Sequence, residues 1–359
     1  MFRARILACL LSCFALLSTV APAFAADFMF SGTVDGQTFE GRPLSWTDNV
    51  MYLLGRDGRL FEFNPREVEN AKKTSLQFEG YSVNEMKREL YKEFGDALDI
   101  TTTQHYIVVH PRNEGGEWAH RFEDLYRSFL AYFRVRGFQV EEPKFPLVAI
   151  VYPNRDDYYR AASANGTKLT PNTLGHYDPT SNRVQLYDAT GGDKANWADT
   201  ADTIIHEATH QTAFNSGIQN RFGSMPVWIV EGLATMFEAR GVWNSQSFHT
   251  LKDRINEVRF TDFRANLKNR KPGTFGNLIA SDQMFKTDTA AAYAEAWAMT
   301  LFLCETRPRE LAQYFVKLAN RPDFSNYFAT ERVNDFAECF GSDLKQLEAN
   351  FLNWMAEIR

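Results

Sequence analysis

The stretch Thr203-Ile204-Ile205-His206-Glu207-Ala208-Thr209-His210 decides how this chain is read. On a helix each residue turns by about 100°. Positions i and i+4 therefore lie about 40° apart and one turn, about 6 Å, along the axis. Two imidazoles at that spacing, His206 and His210, can reach one metal ion. Glu207 follows the first of them, so it points beside the ion, where it can take a proton from water. A catalytic zinc also needs a third protein donor. A three-histidine version would continue with Gly and then His, but Ala213 and Ser216 occupy those positions.

The next informative run is Pro226-Val227-Trp228-Ile229-Val230-Glu231-Gly232-Leu233-Ala234. Pro226 suits the first turn of a helix. Glu231 stands in an apolar run, and a carboxylate in that setting requires a charge partner, which a metal ion supplies. Glu238 is a rival donor: it lies seven residues further on, on a similar face. Its place at the helix end also allows it to be solvated or paired.

H-E-A-T-H followed by W-I-V-E-G-L-A resembles the gluzincins. More closely, it resembles the peptidase-MA-like family of secreted bacterial proteins, many of which have no assigned function. The resemblance covers roughly residues 80 to 359. It implies Zn2+ held by His206, His210 and Glu231, with Glu207 as general base. It implies an edge strand that pairs with an extended peptide, here Arg183–Tyr187. It also implies a tyrosine on a later helix that steadies the tetrahedral intermediate. Ala291-Ala292-Tyr293-Ala294-Glu295-Ala296-Trp297 offers Tyr293 for that role.

Outward from the motif, the order of elements supports an α+β fold. Met51-Tyr52-Leu53-Leu54 and Leu60-Phe61-Glu62-Phe63 flank Gly55-Arg56-Asp57-Gly58, a hairpin signal. Ser82 and Glu85 have capping-box spacing before Met86, Leu90 and Phe94. His105 to His110 and Phe145 to Tyr152 read as strands, separated by a helix carrying Trp118, Phe122, Leu125, Phe129 and Phe133. Asn154 caps a short helix. Residues 174–177 and 183–187 form another hairpin around Asp178-Pro179-Thr180-Ser181-Asn182. Asp199 or Thr200 caps the motif helix, and everything after residue 240 reads as helical, with Asp288, Pro308 and Ser342 opening helices. The expected architecture is a zincin-like mixed sheet with helices, then a helical C-terminal half, preceded by a small β-rich unit. The expected divisions are a signal peptide (1–25), the β-rich unit (26–80) and a metallopeptidase domain (81–359) split near residues 214 and 215.

The N-terminus has Arg3 and Arg5, an apolar run from Ile6 to about Val20, and Ala23-Phe24-Ala25, the pattern of a cleavable signal peptide. A second reading makes Leu10-Leu11-Ser12-Cys13 a lipoprotein site. A secreted or periplasmic protein without stable membrane insertion is expected. Losing Arg3 and Arg5 from 39 basic residues, against 45 acidic ones, takes the formal charge from −6 to −8, which does not favour nucleic acid. Cys304 and Cys339 remain, either as one disulfide or as two separate thiols. His176 reads as a strand histidine near a turn or as a group facing the cleft. The function expected is hydrolysis of a peptide or protein substrate. The alternatives are a zincin-fold binding module and a zinc amidase for non-peptide amides, and zinc-dependent turnover of a peptide library separates them.

Overall fold

The computed structural model describes residues 28–112, 114, 116–189 and 197–358, without the side chains of 197–200. Residues 1–25, expected to be a signal peptide, lie outside the described residues.

Five strands form a first, antiparallel sheet: β1 Met29–Val34, β2 Gln37–Trp46, β3 Met51–Gly55, β4 Leu60–Phe63 and β5 Glu69–Ser75, in the order β4-β3-β2-β1-β5. The β1–β2 turn is Asp35-Gly36, and both residues have positive φ (49° and 78°), which a two-residue hairpin requires. Phe39 stacks on Phe63 and meets Phe30 edge-on, so one face of this small sheet is held by aromatic cross-strand contacts.

The second sheet has β6 Asp99–Thr102, β7 Tyr106–His110, β8 Leu147–Tyr152, β9 Gly175–Asp178 and β10 Arg183–Tyr187, in the order β6-β7-β8-β10-β9. β7, β8 and β10 run parallel, and the outer strands pair antiparallel. β7 and β8 are buried throughout, as expected where helices cover both faces. Helices α1 Val83–Phe94 and α3 Arg155–Ala164 cover one face through Met86, Leu90 and Tyr158. Helices α2 Glu117–Arg134 and α4 Trp197–Asn215 cover the other through Phe122, Phe129, Ile204 and Ala208.

The helical half contains α5 Val227–Phe237, α6 Arg240–Trp243, α7 Glu257–Asn266, α8 Thr274–Ala280, α9 Gln283–Thr287, α10 Thr289–Thr306, α11 Pro308–Ala319, α12 Ala329–Phe340 and α13 Leu344–Glu357. α10 is its centre. Between Ala291 and Cys304, Tyr293 alone is not fully buried. The apolar character all round α10 marks a helix packed on every side.

The caps at Ser82, Asn154 and Asp288 form as the sequence suggests. Two others differ. The motif helix already begins at Trp197, which leaves Asp199 and Thr200 inside it. The last helix is capped by Asp343, which accepts from the Gln346 N–H, rather than by Ser342. The strand expected at the sheet edge is also corrected. Arg183–Tyr187 is β10, which lies between β8 and β9, so β9 is the edge on that side and β6 the opposite one. Cys304 and Cys339 are both free thiols, the first buried, which overturns a disulfide between them in this fold. Among the described residues, no helix is long and apolar enough to cross a membrane.

Candidate metal centre

His206 and His210 occupy adjacent turns of α4, and their Nε2 atoms are 3.1 Å apart. Glu231 reaches them from α5. Its Oε2 lies 3.3 Å from His206 Nε2 and 3.6 Å from His210 Nε2. Donors in a tetrahedral zinc site, each about 2.0–2.1 Å from the ion, stand about 3.3–3.4 Å from one another. The three atoms therefore have the mutual spacing of three corners of such a site, and among the described residues they form a group that could hold a metal ion. Among the described residues, no hydrogen-bond donor is aligned on the buried Glu231 Oε2. A buried carboxylate oxygen facing two imidazole nitrogens fits a cation between them.

The electrostatics agree with the geometry. Burial opposes the charge on Glu231, but His210 and then His206 outweigh it and hold its carboxyl far below the usual range. Burial likewise disfavours a charged His206, yet Glu231 and Glu238 push it up to about 10. The protein around these groups is arranged for positive charge.

Glu238 is not one of the converging donors and is not free in solvent. Its Oε1 accepts from His206 Nδ1 at 2.7 Å, while Oε2 accepts from Asn256 Nδ2 at 2.6 Å. Asn256 also donates to the Thr235 carbonyl and caps α7. Glu238 thus fixes the ring of His206 so that Nε2 faces Glu231, the usual service of a carboxylate behind a metal-binding imidazole. Glu238→Ala should weaken zinc binding by about 10- to 100-fold, with a smaller loss in Glu238→Gln. Competition titration against a chelator checks this, and unchanged affinity in both variants would remove the role.

Glu207 points from α4 toward the sheet edge, where its Oε2 accepts the Tyr177 N–H at 2.7 Å. Tyr177 belongs to β9, and the sequence reading did not find it. Its signal, the turn after Tyr177, was legible, but its pairing with Glu207 was not.

Tyr293, on the first turns of α10, comes to the same place. Burial first, and then the adjacent Glu231 charge, raises its phenol well above the ordinary value, so it remains a proton-bearing donor. Phe285 meets its ring edge-on at 5.5 Å, and the Arg259 guanidinium lies 5.4 Å from the ring centre. What sets Tyr293 beside Glu231 is the close approach of α5 and α10 at Gly232. A Cβ at Gly232 would collide with the Thr300 hydroxyl and the Ala296 carbonyl. Gly232→Ala should destabilise the protein by about 1–3 kcal/mol through forced separation of the helices. A melting temperature equal to that of the parent would show that the contact yields freely.

His176 is not one of the converging donors. It lies on β9, but its Nδ1 pairs with Tyr158 Oη of α3 at 2.8 Å, on the sheet face opposite α4. Burial lowers its pKa. His105 binds Glu123, and His110 binds Thr101 and the Pro111 carbonyl, so both are structural.

A family model described as "Protein of unknown function (DUF1570)" matches residues 200–325, a span that contains His206, Glu207, His210, Glu231 and Tyr293. No curated protein matches. Among solved structures, the chain is similar to a crystal structure of an M1 zinc metallopeptidase mutant from Deinococcus radiodurans bound to a Tyr-Ser-Ala substrate. The identity is 14%, the TM-score is 0.37, and 70% of this chain is covered. This chain spans about half of that one, 50% of its length.

Proposed function

We propose that this chain is an exported zinc-dependent hydrolase of peptide bonds, of the gluzincin type, with His206, His210 and Glu231 as the zinc donors. The observation that carries the proposal is the buried Glu231 Oε2 facing two imidazole nitrogens at zinc-site spacing with no donor of its own. A zinc ion there would supply Lewis acidity and make water acidic enough to attack at neutral pH. The protein's own groups do the rest. Glu207, steadied by the Tyr177 N–H, takes the proton from the attacking water and later passes it to the leaving nitrogen as the C–N bond breaks. The Tyr293 phenol, kept protonated by burial and by Glu231, donates to the carbonyl oxygen as negative charge develops on it. Glu238 and Asn256 keep His206 in the orientation the donor set needs.

Metal analysis of the mature protein, paired with cleavage of a peptide library with and without chelator, tests this reading. One zinc per chain and chelator-sensitive cleavage are expected. Bound zinc with no cleavage would turn the reading toward a binding module. Cleavage of non-peptide amides alone would turn it toward an amidase.

A further inference from the structure

We infer that the first sheet closes one end of the groove along β9, so that substrates are cut near their N-termini. The inference rests on the peptidase reading above and names the substrates that reading would take.

β9 is one of the two outer strands of the second sheet, and among the described residues no strand lies beyond it. The Leu174 carbonyl accepts the Tyr187 N–H of β10, so by period-two alternation the groups of Gly175 and Tyr177 face away from the sheet. The bond from Tyr177 N–H to Glu207 is that outward direction made visible, and it places the point of attack beside Tyr177. Three residues later the Thr180 carbonyl accepts the Leu60 N–H of β4, at 2.8 Å. Arg221, in the connection from α4 to α5, donates to the Gly58 and Pro179 carbonyls, both at 2.6 Å. One guanidinium thus ties the turn of the first sheet to the turn that ends β9.

The same sheet touches both the second sheet and the helical half. On one side Leu44 and Leu54 pack on Phe145, which precedes β8. On the other, Tyr52 stacks on Phe324 of the helical half, with ring centres 3.9 Å apart and planes 9° apart. Phe324 holds a left-handed backbone (φ 57°), a strained conformation for a bulky residue, secured by its N–H on the Phe222 carbonyl. Contacts that run from Phe145, past the β9–β10 turn, to Phe324 cross the line along which a strand added to β9 would leave.

An added strand pairs more stably when antiparallel. Its N-terminal side then points toward the end of β9 that the first sheet blocks. Thr180 lies three residues beyond Tyr177 and the chain turns after Asp178, so at about 3.3 Å per extended residue there is room for at most about three residues before the cut bond. The substrate class is therefore peptides with a short free N-terminal side, from which one to about three residues are released.

The test uses peptides that share one cleaved core and are extended stepwise at either end. Turnover by the zinc-loaded mature protein is measured alongside affinity for Glu207→Gln by fluorescence anisotropy. Once more than about three residues precede the cut bond, both kcat/KM and affinity should fall about tenfold or more, while C-terminal extension changes neither. Equal cleavage and binding of N-terminally extended peptides would overturn the end closure and leave the peptidase reading standing. If no peptide is cleaved, the peptidase reading fails. The anisotropy series then still decides the closure, since a blocked end weakens binding of N-terminally extended peptides and an open end does not.

Discussion

Glu231→Ala should leave the purified protein without zinc after dialysis against a moderate chelator, under conditions in which the parent retains one equivalent. The substitution removes one of three donors, so the loss in affinity should exceed the 10- to 100-fold, or thereabouts, expected for an outer partner such as Glu238. The fold should survive. Glu231 is a half-buried carboxylate on a helix whose apolar residues Trp228, Ile229, Leu233 and Met236 supply the packing. Replacing it with alanine removes a charge that faces the His206 and His210 imidazoles and the Tyr293 phenol. Circular dichroism separates loss of metal from loss of structure. Retention of zinc in Glu231→Ala together with full loss in Glu238→Ala would exchange the two roles and end the gluzincin reading.

Glu207→Gln should keep zinc and lose turnover by at least about 10²-fold, the scale of a missing general base. The amide retains an oxygen that can accept the Tyr177 N–H, so the side chain has reason to stay in place. It has no lone pair basic enough to take the proton of the attacking water. The comparison therefore isolates proton transfer from metal binding and from edge-strand geometry. Zinc analysis and peptide turnover on the same preparation provide the check. Near-parental turnover would mean that another group accepts the proton.

Much of this arrangement is legible from local chemistry. His206, Glu207 and His210 share their geometry because the helix places i and i+4 on one face, whatever surrounds it. Glu231 announces a charge partner because an apolar run offers it no other. Ser82, Asn154 and Asp288 cap helices through hydrogen bonds that reach only three residues along the chain. Buried strands announce themselves through continuous apolar runs, as in β7 and β8.

What stayed hidden depends on residues far apart in the chain. Alternation tells which face of a strand is buried but not which strand lies beside it. Arg183–Tyr187, expected at the edge, instead pairs as β10 with β8, more than thirty residues away in sequence, and leaves β9 outermost. Glu238 read as a rival donor because helical periodicity fixes a direction around the axis and not a distance across a site. Its hydrogen bond to His206 spans 32 residues. Gly232 looked like part of a motif, and only the meeting of α5 with α10 gives its missing side chain a reason. The sequence by itself determined the α+β plan and marked His206, His210 and Glu231 as candidate donors and Glu207 as candidate base, because helix geometry and the cost of a buried charge act within a few residues. Tertiary structure alone decided the edge strand, the support behind His206 and the docking of the first sheet on the β9–β10 turn, because each is a hydrogen bond or ring contact between segments that only long-range packing brings together.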